Sequence, residues 1–155
     1  MNLPISIALL SAIVATVGAQ LLKPLIALLS KEEVYPHMLI STGGMPSSHT
    51  AGVTALTSSV GIISGPRSIE FAICFVFSII VIHDSLNIRM EAGKHAKVIN
   101  EWAEILSSMY KNGPFEPTNL KTFLGHSFSQ VLGGLILGLL VGILLTLALK
   151  DIVIL

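Results

Sequence analysis

Charge is the first thing this sequence lacks. Only 12% of its 155 residues are Asp, Glu, Lys or Arg, against about 25% in a typical soluble domain. That is too little to cover a water-facing surface, so lipid has to serve as part of the solvent. A charge imbalance is also missing: Lys+Arg and Asp+Glu both total 9, whereas a nucleic-acid binder carries a basic excess. Cysteine is nearly absent. The lone Cys74 sits in an apolar run, which excludes an intramolecular disulfide and any cysteine-rich zinc site. No internal repeat and no low-complexity segment interrupts the chain, and its length suits a single domain, residues 1–155.

What the sequence has instead is apolar runs. Hydrophobic residues make up 52%, and mean hydropathy is +0.82. A bilayer core about 30 Å thick takes about 20 apolar residues as helix. Four stretches approach that length: Leu3 to Leu29, the run after Ser48 to Ser64, Ile69 to Ile82, and Phe128 to Leu149. The second is the shortest and is rich in small residues. The fourth carries Gly133, Gly134, Gly138 and Gly142, a spacing that lets helix backbones approach closely. Val17-Gly18-Ala19 mildly resembles a signal-peptidase site. No basic residue precedes the apolar run, however, so the first stretch is expected to stay as a span.

Between the last two runs, Gly93 to Tyr110 has helical periodicity, with Val98, Trp102, Ile105, Leu106 and Met109 on one face and Lys94, Lys97, Glu101 and Glu104 on another. The expectation is an amphipathic helix at the membrane interface or against the bundle, ending at Asn112-Gly113-Pro114. The fold class is therefore all-α: an integral membrane helical bundle of about four spans plus an interfacial helix. Threading the spans puts Lys23, Lys31, Arg89, Lys94, Lys97, Lys111 and Lys121 on one side and Arg67 and Lys150 on the other. By the positive-inside rule the first side is cytoplasmic.

Polar residues in such a chain need a reason. They gather in five places, all on that same side: Gln20 with Lys23; Gly43 to Thr50; His83, Asp84, Asn87 and Arg89; Lys94 with His95; and Gly125 to Ser127 with Gln130. In the second, two glycines permit unusual backbone angles. Pro46 suits an early helical position, and Ser47 or Ser48 an N-cap. A helix N-terminus offers unpaired N–H groups to an anion, with His49 beside it. The bland alternative is a capped helix start with a surface histidine. Asp84, Asn87 and Glu91 have the spacing of one helix face. They suit a polar cap, support for a phosphate site, or a Mg²⁺ site. His126 and Gln130, at i and i+4, can touch, leaving one imidazole nitrogen for chemistry. A buried structural pair is the competing reading. His37 and His83 have no clear partner and read as structural or interfacial.

These residues resemble the type 2 phosphatidic acid phosphatase superfamily, which includes the vanadium haloperoxidases. Pro46-Ser47-Ser48-His49 is similar to its Pro-Ser-Gly-His element. His126 to Gly134 resembles the end of its histidine–aspartate element, with Gln130 where aspartate is expected. Lys23-Pro24 resembles its Arg-Pro pair, with lysine for arginine. The lysine expected before that pair is Thr16 here, and the expected Ser-Arg pair falls on Asn119-Leu120, next to Lys121. The full combination is similar to a divergent branch of small membrane proteins, expected in a bacterial cytoplasmic membrane.

The resemblance implies a phosphohydrolase that needs no metal or other cofactor. His126 would be the nucleophile, Gln130 its orienting partner and His49 the general acid. Lys23, Ser47 and Ser48 would hold phosphate. Arg89, Lys94 and Lys121 are candidates for the missing basic groups, and Gln20, Asp84, Asn87, Glu91 and His95 would support them. The partners would be a phosphorylated lipid or similar amphiphile and the surrounding membrane lipids, with a homo-oligomer also expected and nucleic acid not. Two other readings stand beside this one. A non-hydrolytic phosphate-lipid binder or transporter tolerates the departures from the pattern better than an enzyme does. A purely structural membrane protein would leave His49 and His126 apart or solvent-exposed.

Overall fold

The computed structural model describes residues 6–31, 34, 38–39, 43–110, 119–122 and 125–153. Five helices account for nearly all of them: α1 (Ile7–Leu29), α2 (Ser48–Ile63), α3 (Ile69–Leu86), α4 (Ile88–Met109) and α5 (Phe128–Val153). The all-helical membrane bundle expected from the apolar runs is what forms, with no strand among the described residues. Three helical stretches are long and apolar enough to cross a bilayer: α1, the stretch that begins with α3, and α5. The fourth expected span, α2, has 16 residues. It is about 24 Å long, short of the bilayer core, and it is sheathed by its neighbours.

α2 is the centre of the bundle, with α1, α3 and α5 packed around it. Its contact with α5 follows a fixed register. A Cβ on Gly134 would lie 2.5 Å from the Ser47 carbonyl oxygen, and one on Gly138 would lie 2.5 Å from that of Ala51. At Gly142 it would meet Ala55 and Ser58. One turn further on, Thr146 donates to Ser59 at 2.7 Å. Four steps along α5 match four steps along α2, so the two helices run parallel with their backbones nearly touching. α1 runs antiparallel: Thr16 lies over Gly52 and Lys23 beside Gly44. Ala15 and Ala19 form the buried core with Ala51 and Ala55. α3 is antiparallel as well, with Thr57 and Ser78 hydrogen-bonded at 2.7 Å and Phe71 against Gly61. The core is thus made of alanine, glycine and hydroxyl residues. The large apolar side chains of α1, α3 and α5 face outward, as expected where lipid takes the place of water.

α4 corrects the sequence reading in two ways. The helix begins at Ile88 rather than Gly93, and it is separated from α3 at Asn87, where ψ is −69° and φ −112°. The backbone ladder runs on across it, the Asn87 N–H donating to the His83 carbonyl at 3.0 Å and the Glu91 N–H to the Asn87 carbonyl at 2.9 Å. Among the described residues, α4 packs on α3 alone of the helices. Gly93 and Ala96 are buried. One turn on, the Asn100 amide clamps the returning chain, donating to the Leu120 carbonyl at 2.9 Å and accepting from its N–H at 3.0 Å. Val98, Trp102, Ile105 and Met109 remain exposed. His37, Lys111 and the expected helix end at Asn112-Gly113-Pro114 fall outside the described residues.

The α2–α5 register makes a contrast between glycines. Gly138→Ala pushes a methyl group into the Ala51 carbonyl and is expected to destabilise the protein by about 1–3 kcal/mol, lowering the thermal midpoint in detergent. Gly18→Ala meets nothing within 4 Å, and its expected effect is neutral to slightly stabilising. Equal midpoints for the two variants would contradict the packing described here.

Candidate active site at the helix ends

The antiparallel and parallel pairings bring four of the five polar clusters to one end of the bundle. That end comprises the later half of α1, the N-termini of α2 and α5, and the C-terminus of α3. Two backbone hydrogen bonds lock these ends together. The Ser47 N–H donates to the Gln130 carbonyl at 2.9 Å, and the His126 N–H donates to the Ser85 carbonyl at 3.0 Å. Gly125, with φ +89°, makes the turn before His126, and a Cβ there would lie 2.6 Å from the Met90 nitrogen.

Ser47 is the N-cap of α2. It is fully buried, and its Oγ accepts from the Thr50 N–H at 3.3 Å and the Thr50 hydroxyl at 3.1 Å. This is a structural task, which corrects its expected role as a phosphate ligand. Pro46 precedes the cap, joined to Met45 by a cis peptide bond, and is not an early helical residue. The first N–H groups of α2, those of Ser48 and His49, lie ahead of the intrahelical ladder. Together with the dipole they make an anion-binding end.

His49 and His126 face each other there, their ring centroids 6.0 Å apart and their planes tilted by 59°. The His49 Nδ1 and the His126 Nε2 are both buried with no hydrogen-bond partner among the described residues. His126 is 3% exposed. Its Nδ1 is 3.1 Å from the Gln130 Oε1, an oxygen that can only accept, so Nδ1 carries the proton and Nε2 the lone pair. Burial is the main influence on its basicity and holds its pKa below the ordinary histidine range. The Gln130 hydrogen bond opposes this, while His49, Lys23 and Arg89 push the same way as burial. The ring is therefore neutral near pH 7.

Gln130 has a second task that the sequence reading missed. Its Oε1 also accepts from the Ser127 N–H at 3.1 Å, and its own N–H reaches the Ser127 Oγ at 3.4 Å. This is a capping box on α5, and its signal, Ser-x-x-Gln, was present in the sequence at Ser127 to Gln130. One amide therefore both starts the helix and orients the histidine.

The cations sort into two groups. Lys23 is 3% exposed, and its stem runs beside Gly44, whose φ is +93°. Arg89 is held by Asp84, Nε to Oδ2 at 2.6 Å. Lys23 and Arg89 are the basic side chains whose charge reaches both imidazoles, and Asp84 also reaches His49. Gln20 lies on α1 one turn before Lys23. The second group, Lys94, His95 and Lys121, does not bear on either imidazole. Lys94 is exposed and pairs with Glu91 at 2.7 Å, and His95 and Lys121 are exposed. Asn87 is exposed and donates to the His83 carbonyl at 3.3 Å. Among the described residues no group of three His, Cys, Asp or Glu side chains could hold a metal ion. Both carboxylates of the Mg²⁺ reading are engaged by cations instead.

The profile of the Divergent PAP2 family matches residues 6–141. The uncharacterized membrane protein YuiD of Bacillus subtilis (strain 168) is 35% identical over 157 residues, covering 96% of this chain and 97% of that protein. No solved structure matches. The resemblance carried by Pro46 to His49, Lys23-Pro24 and His126 to Gly134 is thereby upheld. Profile and relative together span both histidines and the helices that hold them, and the chain belongs to the divergent PAP2 family of integral membrane proteins.

Proposed function

We propose that the protein is a metal-independent phosphohydrolase embedded in the membrane, acting on a lipid phosphate or similar amphiphilic phosphate through a phosphohistidine. The observation that carries this reading is the pair of buried, unpartnered imidazole nitrogens on facing rings 6.0 Å apart. A structural histidine pair satisfies its nitrogens internally. Two left open on neighbouring rings suit a shared anion.

In the proposed reaction the Nε2 lone pair of His126 attacks phosphorus and the bond to the leaving oxygen breaks. Protonated His49 gives that oxygen its proton, and the alcohol departs. Water, deprotonated by His49, then attacks the phosphohistidine and returns His126 with release of inorganic phosphate. The α2 N–H groups, Ser48, Lys23 and Arg89 would hold the phosphoryl oxygens, which is most of what phosphoryl transfer asks of a protein. By the positive-inside rule the site would face the cytoplasm. Gln130 brings no negative charge to the imidazolium that forms on His126, and this favours a second reading, a phosphate-lipid binder or transporter that does not hydrolyse.

Purified protein in nanodiscs should release phosphate from lipid mono- or pyrophosphates in the presence of EDTA. His126→Ala should abolish release, and His49→Ala should reduce it by about 10²–10⁴-fold. Binding of the same lipids without release from any of them would move the assignment to the binder or transporter.

The acid limb of the pH dependence has a fixed sign. His126 attacks only when neutral, so activity is lost as pH falls through its pKa, which burial holds below the usual value of about 6.5. The acid limb of the rate profile should lie below that value. Gln130→Asp, which places a negative charge beside Nδ1, should move the limb upward. Gln130→Leu, which removes the hydrogen bond, should move it downward. Coincident limbs in all three proteins would mean that His126 is not the group titrating.

A further inference from the structure

α1 and α3 both pack on α2 but not on each other. Over that central helix they leave a groove of about 290 Å³, which begins at Ser48 and His49 and is otherwise lined by residues including Thr16, Gly52, Leu56, Phe77 and Val81. From His49 to Leu56 is about 10 Å along α2. Its floor is one helical face, His49, Gly52, Val53 and Leu56. Apart from Ser48 at the mouth, no α2 hydroxyl lines the groove: Thr50 bonds Ser47, Thr57 bonds Ser78, Ser58 bonds the Ala55 carbonyl and Ser59 bonds Thr146. The one hydroxyl on the α1 wall, Thr16, donates to its own helix at Ala12. Beyond its mouth the groove therefore offers only hydrocarbon surface, while its mouth is the histidine that faces His126.

We propose that this groove seats one hydrocarbon chain of the substrate, so that a phosphate carrying one chain is turned over at least as well as a phosphatide carrying two. The proposal rests on the phosphohydrolase reading above and adds the substrate's shape. A furrow over one helix between two neighbours is one chain wide, so the second chain of a phosphatide gains nothing from it. The anionic head is then drawn to the α2 N-terminus at the groove's polar end. Leu56, Val81 and Phe77 become specificity residues, well removed from the reacting atoms.

The test uses the full-length protein in nanodiscs with butyl, octyl and dodecyl monophosphate and a two-chain phosphatidate. It compares wild type with Leu56→Trp and, on a different helix, Val81→Trp, so that misfolding of one variant leaves the other. The expected result is a gain in kcat/KM of about tenfold from butyl to octyl phosphate, the value of four half-buried methylenes. That gain should collapse toward one in either variant, and phosphatidate should fare no better than dodecyl phosphate. Partitioning into the bilayer acts on wild type and variants alike, so the collapse isolates the groove. A dodecyl phosphate bearing a diazirine on its chain should label α1, α2 and α3 beside the groove, competed by dodecyl phosphate and not by dodecanol.

Release with the same chain-length dependence in all three proteins would overturn the groove and leave hydrolysis standing. Release from no substrate, with labelling confined to the groove and resistant to dodecanol, would keep the groove and overturn hydrolysis. Labelling spread over the lipid-facing helices, or competed equally by dodecanol, would show ordinary bilayer chains in the groove and overturn the proposal.

Discussion

The structure depends on how closely α5 can approach α2. Gly134, Gly138 and Gly142 remove the side chains that would hold the two backbones apart, and in a bilayer that closeness stands in for the hydrophobic drive of a water-soluble core. The approach brings the Gln130 carbonyl within reach of the Ser47 N–H. Through that bond the cap of α2 and the first turn of α5 are fixed together, and with them His49 and His126. The facing imidazoles are thus a consequence of glycines several turns away.

The polar groups inside the bundle fall into two kinds. Below the helix ends, hydroxyls pair across helices, Thr57 with Ser78 and Ser59 with Thr146. Each such pair contributes roughly 0.6 kcal/mol in a membrane, and together they set the register of the helices. At the helix ends, by contrast, the two histidines keep a nitrogen each without a partner, and Lys23 is buried beside them. Burying polar groups in this way is costly. The fold accepts that cost at one end of the bundle, where a ligand anion would offset it.

The spans were legible because apolar runs, glycine spacing and the capping serine at Ser47 are all local signals. The pairing of His126 with Gln130 was legible for the same reason, being one turn of helix. The course of the chain after Leu86 was not. The periodicity on either side of Asn87 is helical, and what parts α3 from α4 is a distortion at one residue that composition does not announce. Of the three basic candidates after α3, Arg89, anchored by Asp84, is the one whose charge reaches the imidazoles. Ser47 and Ser48 are equivalent as caps in the sequence. Which one caps follows from the contact with α5, a tertiary fact. The Ser127–Gln130 capping box is also a local signal, Ser-x-x-Gln, carried by the same amide that meets His126.

The matched steps of α2 and α5 also limit how this sequence can change length. Inserting or deleting one residue within either helix rotates everything beyond it by about 100°. A glycine then leaves the contact line, and a leucine or valine of α5 takes its place against the α2 carbonyls. Insertions of four residues restore the face only approximately, and they shift Thr146 past Ser59. Changes in length are therefore accommodated in the connecting segments, such as that between Ile63 and Ile69, while Ser47–Ser59 and Gly134–Thr146, 13 residues each, have to keep equal span.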